Sequence, residues 1–158
     1  MSYGSGSGVL GMRGFADSSA LRPGFNFMCL SIQVNHPARV LSTGIHAGFE
    51  FVTVENGMGF RCGYIRVPAG HPWHGKEEEI ECEIHGGLTF SGPDKACGKN
   101  GADDAWWIGF DCAHYGDARD PDLPANYFIP FQTEGTVRTQ DFVESQCRRL
   151  CEQAAGQA

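Results

Sequence analysis

The stretch FEFVTVENGMGFRCGYIRVP, residues Phe49 to Pro68, decides the architecture. It begins with aromatic and β-branched residues, breaks at Asn56-Gly57, and resumes with alternation. Phe60, Cys62 and Tyr64 fall on one side, with Arg61, Ile65 and Val67 on the other. Period-two alternation puts successive side chains on opposite faces of a sheet, and Asn-Gly supplies the positive backbone dihedrals of a reversal. The stretch therefore predicts two antiparallel strands joined by a turn. Pro68, which has no ladder donor, ends the second.

Working outward, Ile80-Glu81-Cys82-Glu83-Ile84-His85 alternates without a fault and is the strongest strand signal in the chain. Gly86-Gly87 breaks or bulges it before Leu88-Thr89-Phe90 continues. Ala105 to Cys112 (AWWIGFDC) is apolar on both faces, as a central strand is. Tyr127 to Phe131 fits a short edge piece limited by Pro130. On the N-terminal side, Ala38 to Ile45 fits a short helix or a turn, and Phe25 to Val34 a further strand. Residues 1–24, rich in Gly and Ser, predict a flexible arm ahead of a single domain over 25–158. At the other end, Val143, Cys147, Leu150, Cys151 and Ala154 recur at helical spacing behind Thr139, a good N-cap. This predicts a helix from about Gln140 to Ala155. Consecutive strands followed by one amphipathic helix define an α+β fold, mainly an antiparallel sheet with the C-terminal helix packed on one face.

Composition narrows the function. The chain has 158 residues, 41% hydrophobic and 20% charged, enough for one core without a stabilising metal or disulfide. A net charge of −7 with only 12 Lys and Arg argues against a general nucleic-acid binder. No apolar run is long enough to cross a bilayer, and the first residues carry no export signal. Seven scattered cysteines, none in a C-x-x-C pair, then predict reduced thiols in a cytosol. Phosphate-loop, dinucleotide, serine-hydrolase and zinc-protease motifs are all missing.

Polar residues concentrate between Gly63 and Asp117, where apolar strands end. His71 and His74, in the loop Gly70-His71-Pro72-Trp73-His74-Gly75, offer two imidazoles to one metal or anion; the structural alternative is a turn plugged by Trp73. His85 precedes Gly86 and Gly87, whose amides suit an anion or carbonyl. Asp111, His114 and Asp117 recur every third residue after the central strand. With His85 they make Asp111, His114 and His85 a candidate set for a divalent metal. Cys112 is a candidate nucleophile with His114 or His85 as base, and loop capping by Asp111 and Asp117 is the structural alternative. Of the adjacent tryptophans one belongs in the core, and Trp107 is the candidate for stacking on a ligand or filling a subunit interface.

The motifs Gly63-Tyr64-Ile65-Arg66-Val67-Pro68 with Gly70-His71-Pro72, His85-Gly86-Gly87-Leu88-Thr89-Phe90-Ser91, and Trp106-Trp107-Ile108-Gly109-Phe110-Asp111-Cys112-Ala113-His114 with Gly116-Asp117 resemble a group of uncharacterised proteins. These occur in bacteriophages and other mobile DNA, including integron gene cassettes. The resemblance implies an accessory protein in a bacterial cytosol and transfers no catalytic role.

Three functions follow as expectations. The first is a homodimeric binding protein holding a small polar or anionic ligand, nucleotide-like in the mobile-DNA setting, among His71, His74, His85, Gly86, Gly87, Trp107, Asp111, Cys112, His114 and Asp117. The second is a metal-dependent or thiol-dependent hydrolase built on the same loops. A partner-binding homo-oligomer is a third.

Overall fold

Among the described residues, seven strands and one long helix follow one another: β1 (Arg39–His46), β2 (Phe49–Glu55), β3 (Arg61–Val67), β4 (Phe90–Pro93), β5 (Trp106–Asp111), β6 (Asp117–Ala118), β7 (Thr136–Val137) and α1 (Gln140–Ala155). The computed structural model describes residues 39–76, 79–93, 106–125 and 134–158. The expected arm over 1–24, the strand at Phe25–Val34 and the edge piece at Tyr127–Phe131 lie outside them.

β1 to β5 form one antiparallel sheet in the order β1-β2-β3-β5-β4, and α1 packs on β2 and β3, so the fold is α+β with the helix on one face. β6 and β7 pair in parallel beside it. Alternation sorts the side chains. Phe49, Phe51, Ile65, Val67, Ile108 and Phe110 face the helix, while Val52, Val54, Cys62, Tyr64 and Trp107 form a second cluster on the other face. The helix contributes Val143, Cys147, Leu150, Cys151 and Ala154 to the first cluster, the stripe its spacing predicts. Thr139 caps it, its Oγ1 accepting from the Phe142 N–H at 3.3 Å. Gly63 lets α1 approach closely, since a Cβ there would stand 2.5 Å from Cys147 Sγ.

Three expectations need correction. Ala38 to Ile45 is neither helix nor turn. Most of it is β1, joined to β2 by Ala47-Gly48, whose φ angles of 48° and 86° match a type I′ reversal. Asn56-Gly57 does reverse the chain, through a five-residue connection rather than a two-residue one. The Asn56 side-chain oxygen accepts from the N–H of Met58 and Phe60 at 2.9 and 3.3 Å. Third, Ile80–His85 is not a ladder strand. Its alternation is present, with Ile80, Cys82 and Ile84 packed on the helix-side core, but its hydrogen-bond partners are helical side chains. Gln153 accepts from the Glu83 N–H at 2.7 Å and donates to the Glu83 carbonyl at 3.0 Å, and Gln146 accepts from the His85 N–H at 3.1 Å. Buried alternation calls only for a flat apolar surface, which α1 supplies as well as a sheet would. The chain returns to the sheet at Phe90.

No helix among the described residues is long and apolar enough to cross a membrane.

Candidate functional site

Gln146 fixes the backbone of His85 beside the first turns of α1, where the imidazole meets the Phe142 ring edge-to-face at 5.3 Å. Gly86 and Gly87 then turn the chain with φ of 67° and 82°. The Gly87 N–H closes that turn onto the Ile84 carbonyl at 3.0 Å. It is thus committed to the turn and is not the free anion-binding amide expected from the sequence. Gly86 has a different duty. A Cβ there would lie 2.2 Å from the His114 ring, so the imidazole of His114 rests directly on the Gly86 backbone.

His114 arrives from the end of β5, and β6 follows with Asp117, whose side chain is fully buried. Asp117 joins three stretches of chain. Its Oδ1 accepts from Arg138 Nε at 2.6 Å; its Oδ2 accepts from His85 Nε2 at 2.8 Å and from the His114 N–H at 3.1 Å. Burial acts to raise the Asp117 pKa. Arg138, His85 and the His114 amide outweigh it, and the carboxyl is held below its ordinary value. The imidazoles of His85 and His114 meet edge-to-face at 5.4 Å. His114 Nδ1 lies 3.6 Å from Asp117 Oδ2 and 3.7 Å from Asp111 Oδ1, is buried, and has no hydrogen-bond partner. His85, His114 and Asp117 each direct one donor atom into a volume in which all three stand within 4.8 Å of one another. Asp111 borders it.

The other expected site residues lie elsewhere. His71 is buried at the far end of α1, its Nε2 donating to the Ala154 carbonyl at 2.9 Å and its Nδ1 accepting from the Trp73 N–H at 3.0 Å. Phe142 and Ala154 are separated by about 18 Å of helix, so His71 and His85 face opposite ends of it. His74 packs against Trp106, which starts the strand that Asp111 ends. Trp107 is on the sheet face away from α1 and is 2% exposed, so it is available neither to a ligand in the histidine cluster nor to a partner subunit. Cys112 faces the helix-side core, 1% exposed. Burial first, then Cys62, Asp117 and Asp111, drive its thiol far above the usual range against a smaller opposing effect of Arg138. A thiol so held is a packed core group and not an activated nucleophile. Cys62, Cys82, Cys147 and Cys151 are likewise free thiols.

Arg138 is the participant that sequence reading missed, and it left a signal. A cation one residue before an N-cap opposes the positive end of the helix dipole and calls for a nearby carboxylate. The β6–β7 pairing, Asp117 with Thr136, supplies it.

Fold and site together define an antiparallel α+β domain with a histidine–carboxylate cluster at the mouth of its helix. The chain matches no family model, no curated protein and no solved structure.

Proposed function

We propose that this protein binds a divalent first-row transition metal through His85, His114 and Asp117, with Asp111 at the rim, and that the ion serves metal-assisted hydrolysis. One observation carries the reading: His114 Nδ1 is a buried donor atom with no hydrogen bond, facing a carboxylate oxygen that a second imidazole also meets. Donors about 2.0–2.2 Å from one tetrahedral centre stand about 3.4 Å apart. The observed separations of 2.8 Å for His85–Asp117 and 3.6 Å for His114–Asp117 bracket that value. Two imidazoles and one carboxylate form a borderline set suited to zinc or ferrous iron, and three protein ligands leave a coordination position for water. Arg138 on Oδ1 would act as the outer partner that orients Asp117, leaving Oδ2 toward the imidazoles.

A metal-free polar-ligand site is the second reading, favoured by the charge of Asp117 being already met by Arg138 and His85. A mobile-DNA role in a bacterial cytosol is supported by the motif resemblance alone.

Calorimetric titration of chelator-treated protein with Zn²⁺, Mn²⁺ and anaerobic Fe²⁺ tests the metal reading. One-site binding in the micromolar range or tighter is expected, at least tenfold weaker in His114→Ala. Absence of binding by all three ions, or an unaltered affinity in His114→Ala, overturns it.

A further inference from the structure

On the sheet face away from α1, where β3 begins and β5 ends, there is a cavity of about 350 Å³. Its walls are Asn56, Met58, Cys62, Tyr64, Thr89, Phe90, Asp111 and Ala113. The volume falls within the range of small-molecule sites. The composition is specific. Asp111 is the sole charged residue among the described residues of the wall, and His114 Nδ1, outside that wall, lies 3.7 Å from its Oδ1. Tyr64 and Phe90 meet edge-to-face at 5.6 Å and supply aromatic surface, with Met58 beside them. The carboxamide oxygen of Asn56 is engaged in holding its own turn. Asp111 keeps its place because Oδ1 accepts from the Ala113 N–H at 2.9 Å, and its side chain is about one-third exposed.

We propose that this cavity is a second binding site, for a small organic cation carrying an aromatic or apolar body and a protonated amine. The amine would pair with the Asp111 carboxylate, and the body would lie against Tyr64, Phe90 and Met58. A carboxylate in a partly desolvated wall attracts a cation and repels an anion, and aromatic faces add to the attraction. The negative sign of the wall selects a cation at this site. It also shows in the neighbouring groups: burial chiefly, with help from Asp111, pushes the Cys62 thiol up to about 12, so it stays a neutral wall group. The site is distinct from the histidine cluster, although Asp111 borders both, and it does not rest on the metal reading.

The test uses chelator-treated, full-length protein, so that failure of the metal site leaves the outcome untouched. Benzylammonium and phenethylammonium are titrated by calorimetry and by ¹H–¹⁵N NMR, with benzoate and phenylacetate as charge-reversed controls. The ammonium compounds are expected to bind one per chain and to shift the amides of Cys62, Tyr64, Phe90 and Ala113, while the carboxylates do not bind. Asp111→Asn keeps the oxygen that accepts from Ala113 and is expected to weaken ammonium binding by roughly tenfold or more. Phe90→Leu is a second variant, with expected weakening of the aryl ammonium compounds. Absence of ammonium binding at millimolar concentration, equal binding of the carboxylates, or undiminished binding in a folded Asp111→Asn protein would each overturn the proposal.

Discussion

Gly86 and Gly87 both have left-handed backbones, yet their surroundings differ. A Cβ on Gly86 would collide with the His114 ring, whereas one on Gly87 meets nothing within 4 Å. Backbone strain alone costs about 1 kcal/mol for a residue with a side chain at positive φ. Gly87→Ala is therefore expected to lose about that much stability and to keep its metal affinity. Gly86→Ala adds the displacement of His114 and should weaken Zn²⁺ binding at least tenfold. Denaturation and calorimetry on the pair separate the two effects; equal ion affinities would mean that the His114 ring does not depend on its glycine support. Much of this cluster was legible at residue scale. His85, His114 and Asp117 stand out as polar residues at strand ends, and the three do come together. His71 and His74 carry the same vocabulary but serve packing, because nothing in a local pattern reveals which end of the helix a loop will reach. Arg138 escaped because its partner is brought to it by a two-residue parallel pairing too short to leave a periodicity.

The element scale is where alternation misleads. Ile80 to His85 has the pattern of a strand and the environment of one, with its apolar side chains against the core. Gln146 and Gln153 complete its backbone in place of a neighbouring strand. Arg149 adds an ion pair to Glu83. Periodicity reports burial, not the identity of the hydrogen-bond partner, so a strand docked on a helix and a strand in a sheet are indistinguishable in sequence. The helix itself was fully legible, since its stripe and cap are both local. Removing the two glutamine side chains should cost about 1 kcal/mol each. In the Gln146→Ala, Gln153→Ala double variant the amides of Glu83 and His85 are expected to exchange with solvent faster, while those of β2 and β3 keep their protection. Hydrogen-exchange NMR reads this directly. Unchanged exchange at Glu83 and His85 would show that packing of Ile80, Cys82 and Ile84 alone holds the segment.

At the scale of the whole molecule, two part-buried ion pairs tie the loop after β5 to the rest: Asp117 with Arg138, and Asp120 with Arg61 at 2.6 Å. For Asp120, as for Asp117, burial acts upward. The Asp122 amide and Arg61 overcome it, leaving both carboxyls below their ordinary value of 3.8. A carboxyl whose pKa is lower folded than unfolded stabilises the fold above the unfolded value. That contribution fades as pH falls through the folded one. Stability should therefore be level from pH 7 to about 5 on account of these two groups, and decline below about pH 4. Urea denaturation across this range measures it. Asp120→Asn should be less stable at pH 7 and flatter below pH 4; an acid limb as steep as in the parent chain would exclude Asp120 as a contributor. The antiparallel sheet and its helix-covered face were predictable at this scale; the order β1-β2-β3-β5-β4 was not. The β1 strand was not, because its alternation is blurred by a bulge between Val40 and Ser42.

The position of α1 along the chain has a consequence during synthesis. The side chains that close the main core, Val143 to Ala154, are the last of the described elements to leave the ribosome, and they dock on β2 and β3, made roughly 90 residues earlier. Until then the Phe49, Ile65 and Phe110 face of the sheet lacks α1. The nascent chain must carry that sticky surface for several seconds at ordinary translation rates, a window in which a holding chaperone has something to grip.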